Sequence, residues 1–146
     1  MSRARDLRAE FRTKAAAAFS FLVEESGFAQ PEMTESLFST GPGLLFRGPG
    51  LDVDVMFHDG REPQVVTSLA AVGPDGVRSR WAELDGLYAA AGCGPVQDVP
   101  GQAPNRRSTL KRLDQHATAL RRLMAHLPAP ELSQSIIRFA ALRWER

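Results

Sequence analysis

The sequence predicts an α+β fold in a single domain, 1–146: an N-terminal helix, a small antiparallel sheet of three or four strands, and three C-terminal helices. Three features carry this expectation. Residues 51–58 alternate apolar and polar side chains with a period of two. The segments near both ends of the chain repeat apolar residues every three or four positions. Glycine–proline clusters punctuate the region between.

In the N-terminal segment, Leu7, Phe11, Ala15, Ala18 and Leu22 fall on one face of a long helix, and Phe19 widens that face. The alanines at 15–18 add intrinsic helix propensity. Gly27 stands where a left-handed residue would end the helix, Phe28 can fold back onto the last turn, and Pro31 confirms the stop. After a polar connection, two Gly-Pro-Gly triplets at 41–43 and 48–50 bracket Leu44–Arg47, leaving room for only a short strand. In the next segment Leu51, Val53, Val55 and Phe57 point one way, and Asp52, Asp54, Met56 and His58 the other. Asp59-Gly60 predicts a tight hairpin turn. Residues 64–72, apolar on both faces, predict a central return strand, closed by a turn at 73–76. Val77 opens at most a brief further strand before Ser79 caps a short helix, with Trp81, Leu84, Leu87, Tyr88 and Ala91 on its buried face and Gly92 at its end. A Gly/Pro-rich loop over 92–104 precedes the strongest helix, marked by Leu110, Leu113, Ala117, Leu120, Met124 and Leu127. Pro128 and Pro130 break that helix, and a last one carries Leu132, Ile136, Phe139 and Ala140.

Composition narrows the class. Hydrophobic residues make up 43% and charged residues 24% of the 146, the balance of a packed globular domain rather than a disordered chain. No apolar run approaches the ~20 residues that span a bilayer, and Arg3, Arg5, Asp6, Arg8 and Glu10 put charge where a signal peptide would be apolar. Cys93 is the only cysteine, which precludes an internal disulfide and suits a reducing compartment. The expectation is a cytoplasmic protein with no membrane association. The net charge of +1 hides an asymmetry: 26–104 holds four bases and ten acids, 105–146 nine bases and three acids. Either the two parts attract one another on folding or they form binding surfaces of opposite sign.

Several constellations invite a chemical reading. Asp52 and Asp54 lie on one strand face, ~7 Å apart, a spacing at which two carboxylates can hold a divalent cation. Leu51–Val55 resembles the metal-binding strand of the nucleotidyltransferase superfamily. That resemblance implies a metal-dependent nucleotidyl or phosphoryl transferase using Asp52 and Asp54. The glycines that would stand for the family's phosphate-binding turn, Gly41 and Gly48, are each followed by proline, and 64–72 supplies no third carboxylate. The alternative is a solvated outer strand face. His58, Asp59, Arg61 and Glu62 cluster at the hairpin tip as a recognition edge. Cys93 follows a helix C-terminus, whose partial negative charge disfavours a thiolate. His116 and His126 do not share a helical face, and 41–50 lacks the Lys-Ser/Thr of a phosphate loop. No catalytic residue, metal site or cofactor is assigned. Arg106, Arg107, Lys111, Arg112, Arg121 and Arg122 form a basic helix face without interleaved aromatics, which does not favour nucleic acid. In the last helix a second apolar stripe, Ile137, Ala141 and Trp144, points to a partner or homodimer contact.

Taken together, an opening helix ending in Phe19-Ser20-Phe21-Leu22 and Glu25-Ser26-Gly27-Phe28, an alternating strand running into Phe57-His58-Asp59-Gly60-Arg61-Glu62, an apolar return strand, and Trp81-Ala82-Glu83-Leu84 opening a helix form a pattern. It resembles a loose set of small, mostly uncharacterised bacterial α+β domains, some of them thought to be immunity proteins encoded beside toxins. The resemblance implies a non-catalytic protein-interaction domain that blocks a toxin. The surface to test is Asp52, Asp54, His58, Arg61 and Glu62.

Overall fold

A computed structural model describes residues 3–35 and 41–144, with side chains over 7–34 and 41–139. The α+β class and the antiparallel sheet are as the pattern predicts. In chain order the elements are α1 (Arg3–Ala18), α2 (Ser20–Glu24), β1 (Glu32–Glu35), β2 (Pro42–Gly48), β3 (Leu51–His58), β4 (Gln64–Val72), β5 (Arg78–Glu83), α3 (Leu84–Ala90), a 3-10 turn (Val96–Asp98), α4 (Arg106–His126) and α5 (Ala129–Trp144). The sheet is a five-stranded meander in the order β1-β2-β3-β4-β5, every pair antiparallel.

The sheet has five strands where three or four were expected, and each difference has a local cause. β1 comes from the polar connection: as an edge strand it needs only one neighbour and little apolar content. β2 runs through its flanking glycines and proline because neighbours press close there. A Cβ on Gly43 would meet the Thr34 hydroxyl and Met56, and one on Gly48 would overlap the Phe28 ring. The N-terminal helix is broken at Phe19 into two pieces, although the Phe19 amide still bonds the Ala15 carbonyl. Ser79 and Trp81 belong to β5, not to a helix, which starts only at Leu84. His58 pairs with Gln64, so the hairpin loop is the five residues 59–63 rather than a tight two-residue turn. Gly27 does adopt positive φ, and the Phe28 amide bonds the Leu22 carbonyl.

Helices cover one face of the sheet. Leu44 and Phe46 of β2, Val53, Val55 and Phe57 of β3, and Val65 and Leu69 of β4 are all buried in one core with residues from every helix. Phe11 of α1 packs on Phe57 with ring centroids 5.9 Å apart, and Phe19 packs on Phe46 at 6.1 Å. Leu113, Leu120 and Leu123 of α4 and Leu132 and Ile136 of α5 are fully buried. Asn105 begins α4 with a reciprocal capping box to Ser108.

The expected attraction between the acidic and basic regions is met in part, by Arg122 of α4 lying 3.9 Å from Asp98. The basic side chains of α4 pair mainly with the N-terminal helices: Arg106 with Glu10, and Arg121 with Glu25 at 2.8 Å while lying over the Phe21 ring. The sheet's acids find arginines within the sheet instead, on the face away from the helices.

One polar tie crosses the core. His116 of α4 is buried, its Nδ1 2.8 Å from the Thr67 hydroxyl of β4 and its Nε2 2.8 Å from the Pro100 carbonyl oxygen. A carbonyl only accepts, so Nε2 carries the proton and Nδ1 accepts from Thr67. This ties helix, sheet and the 92–104 loop together, and the loop in turn covers the start of β4 by bonds from the Val65 amide to Gly101 and from the Ala103 amide to Pro63. Burial holds the His116 pKa below its ordinary value. The unfolded chain therefore takes up this proton first as pH falls, so His116's contribution is fully present above about pH 6.5 and is lost on acidification towards its depressed folded value. The urea midpoint should fall between pH 7.5 and 5.5, conditions chosen as about one unit either side of the unperturbed histidine, and His116→Gln should flatten that dependence. An unchanged slope in the variant would contradict this.

Candidate functional site

Among the described residues, no helix covers the second face of the sheet. A concavity of about 460 Å³ lies on it, and every residue lining it belongs to a strand, including Leu45 of β2, Asp54, Met56 and His58 of β3, Val66 and Ser68 of β4, and Trp81 and Glu83 of β5. Pairing register explains the grouping, because residues directly opposite share a face. Leu45, Asp54, Ser68 and Glu83 form one cross-strand row, and Asp52, Ala70 and Trp81 the next.

A chain of alternating charges crosses this face. Arg47 donates to Glu32 at 2.6 Å and lies 3.6 Å from Asp52; Arg78 donates from Nε to Asp52 at 3.1 Å and from Nη1 to Asp54 at 3.2 Å. Arg78 reaches β3 from β5 over the small side chains of β4, Ser68 and Ala70. A register shift between Ala71 and Val72 makes this possible: Arg80 pairs with Ala71 of the inner face, but Arg78 pairs with Val72, so one residue of bulge turns Arg78 outward. Asp52 is only 4% exposed, which corrects the picture of a solvated strand face. Asp54 is partly buried, and desolvation pushes its pKa above the usual carboxylate value although Arg78 pulls the other way. With guanidinium groups against both carboxylates, the space a divalent cation would need is held by arginine. Among the described residues no three metal-ligating side chains converge.

Of the sequence-derived site, Asp54 and His58 line the concavity, while Asp52 stands in the neighbouring row of the same face and does not line it. Arg61 and Glu62 are exposed in the 59–63 loop and do not line it. On α5, Ile137 is exposed, while Ala141 and Trp144 lie outside the described side chains. Sequence reasoning missed Arg78, Trp81 and Glu83. Trp81 is 64% exposed at the rim, not buried on a helix. His58 and Ser68 stand two residue rows apart on the face, roughly 13 Å along the strands, so they do not form a nucleophile–base pair.

A smaller cleft of about 390 Å³ lies beside α4 and the 3-10 turn. There Arg122 donates to the Tyr88 hydroxyl, which donates to Asp98, both at 2.8 Å; the bond to Asp98 raises the Tyr88 pKa. These groups satisfy one another and tie α3 to α4.

No protein-family model, curated protein or solved structure matches the chain.

The charge chain makes opposite predictions for its members. A carboxyl whose folded pKa is raised costs stability when ionised, a cost relieved as pH falls through that raised value. At neutral pH Asp54→Asn should therefore leave stability unchanged or higher, while Arg78→Ala, which strips a charged hydrogen bond from the buried Asp52, should cost about 1–3 kcal/mol in urea unfolding. Equal losses in the two variants would contradict the assignment.

Proposed function

We propose that this chain is a non-catalytic protein-interaction domain that binds its partner through the open face of the sheet. The observation that carries the reading is Trp81, 64% exposed beside a concavity walled by strands alone. A small ligand is normally buried over most of its surface, and a basin with one wall does not supply that. A partner surface would supply the missing wall, and an exposed tryptophan on a rigid sheet is the kind of anchor around which binding energy concentrates. The row separation of His58 and Ser68, and the arginine held against Asp52 and Asp54, favour binding over the metal-dependent transferase alternative.

The narrower form of the reading is an immunity-like protein that covers a toxin's site. It takes its support from the resemblance in segment order and from the mixed charges of this face, which suit electrostatically steered association. A cytoplasmic location fits the lone thiol of Cys93. No described helix is long and apolar enough to cross a membrane. Nucleic acid is disfavoured because Arg106, Arg121 and Arg122 are already engaged by Glu10, Glu25 and the Tyr88–Asp98 pair. A homodimer through α5 is a second arrangement, favoured by the exposure of Ile137 on that helix.

The test is a binding assay with the purified product of the neighbouring gene. Trp81→Ala should weaken the complex by about 2 kcal/mol or more, roughly thirtyfold, as loss of an interface anchor does, and Ile137→Ala should change it little. No complex at low salt, or one indifferent to Trp81, would overturn the proposal.

A further inference from the structure

We propose that the outward edge of β5 is a seam along which a second copy of this chain adds, strand to strand; the inference goes beyond the partner-binding reading and does not depend on it. β5 ends the sheet, and among the described residues no strand pairs with its outer side. The bonds already made show which backbone groups remain. The Val72 amide donates to the Gly50 carbonyl, on the β3 side. Successive residues of a strand turn their amides and carbonyls to alternate sides, so Leu69 and Ala71 turn toward β5. Their partners Ala82 and Arg80 therefore spend amide and carbonyl on β4, while Trp81 between them directs both away from the sheet. Ser79 follows the same alternation, and its carbonyl accepts from the Arg80 guanidinium at 3.2 Å, which lays that cation along the edge. Such a row of open donors and acceptors is a template for another strand.

The sequence of β5 selects its own copy as the occupant. Arginines and a bulge ordinarily discourage edge pairing, and Arg78, Arg80 and the shift at Ala71/Val72 do so against a strand of unrelated sequence. β5, however, is basic at its start and acidic at its end. Antiparallel pairing brings those opposite ends together, whereas parallel pairing would set like against like. With a two-fold axis between the Trp81 residues, each Trp81 exchanges both backbone bonds with that of the second copy. Glu83 of each copy then comes opposite Ser79 of the other, between Arg78 and Arg80. Its amide reaches the Ser79 carbonyl, and its exposed carboxylate takes the Arg80 guanidinium already lying there. The other edge strand lacks this complementarity: β1 has a glutamate at both ends, so a second β1 would be repelled. The axis stands perpendicular to the sheet, so the pair forms one continuous sheet with the helices of both copies on one side and both concavities on the other. Trp81, 64% exposed in a single chain, meets its counterpart across the seam, where aromatic pairs stabilise a sheet.

Sedimentation of the full-length protein over a range of concentrations, joined to amide hydrogen exchange, tests the seam. The mass should rise from monomer to dimer with concentration. The Trp81 and Glu83 amides should exchange more slowly in the dimer, while those of Arg80 and Ala82, bonded to β4, exchange slowly in both states. Glu83→Arg and Arg80→Glu, each at an exposed position, should each raise the dimer dissociation constant about tenfold by setting like charges together in both halves of the seam. The two substitutions combined should restore pairing, and Ile137→Ala should leave it unchanged. The seam is overturned if the protein stays monomeric at about 1 mM, the weak end of association, or if a dimer forms in which the Trp81 amide exchanges as in the monomer. It is equally overturned if Ile137→Ala weakens the dimer and Glu83→Arg does not. A monomer that still binds the gene-neighbour product through Trp81 would overturn the seam alone and uphold the interaction domain, so the two readings fail separately.

Discussion

In a strand with a period of two, Val53, Val55 and Phe57 can leave water only together, and doing so turns Asp54, Met56 and His58 to the opposite side. Burying each apolar side chain contributes about 1.5–3 kcal/mol, so a slip of one residue would forfeit the set while driving three polar or weakly apolar positions into the core. That register fixes the rest. β2 and β4 align Phe46 and Leu69 beside Val53, the helices close over that face, and among the described residues the second face is left to the strands. The candidate site follows from the core's demand for one side of the sheet.

The charge chain on the open face depends on three details of sequence that are small in themselves. Ser68 and Ala70 are short enough for an arginine to pass above them, the bulge at Ala71/Val72 turns Arg78 outward, and Arg47 approaches Asp52 from the other side. Ion pairs taken partly out of water return little net stability, since desolvation offsets most of the attraction. Their physical consequence is specificity of arrangement: with Arg78 held over β4, Trp81 and Glu83 are fixed on the same face as Asp54.

Much of this was legible in the chain. The alternation of 51–58, the two-faced apolar run of 64–72 and the leucine repeat of α4 state their structures directly, because each pattern has the period of its element. What the sequence hid was decided by tertiary context. Glu32–Glu35 is polar and becomes a strand only because β2 offers an edge. Trp81, Leu84, Leu87 and Tyr88 have helical spacing, yet Trp81 lies in β5, paired with Ala70 of β4, and the helix begins three residues later. The same ambiguity concealed the site. Asp54 and His58 could be placed on one face by parity, but Trp81 and Glu83 joined them only through register across two strands, and Arg78 only through a bulge that no periodicity announces. Arg61 and Glu62, three and four residues after His58, are carried away by the loop.

The central claim is that helices cover one face of the sheet and leave the other open. Thiol accessibility along β3 tests it most directly: single cysteines at 53, 55, 56, 57 and 58 in a Cys93→Ser background, each followed for its rate of alkylation under native conditions. Reaction at 56 and 58 with protection at 53, 55 and 57 is the predicted outcome. Protection at every position, or the opposite parity, would contradict the account.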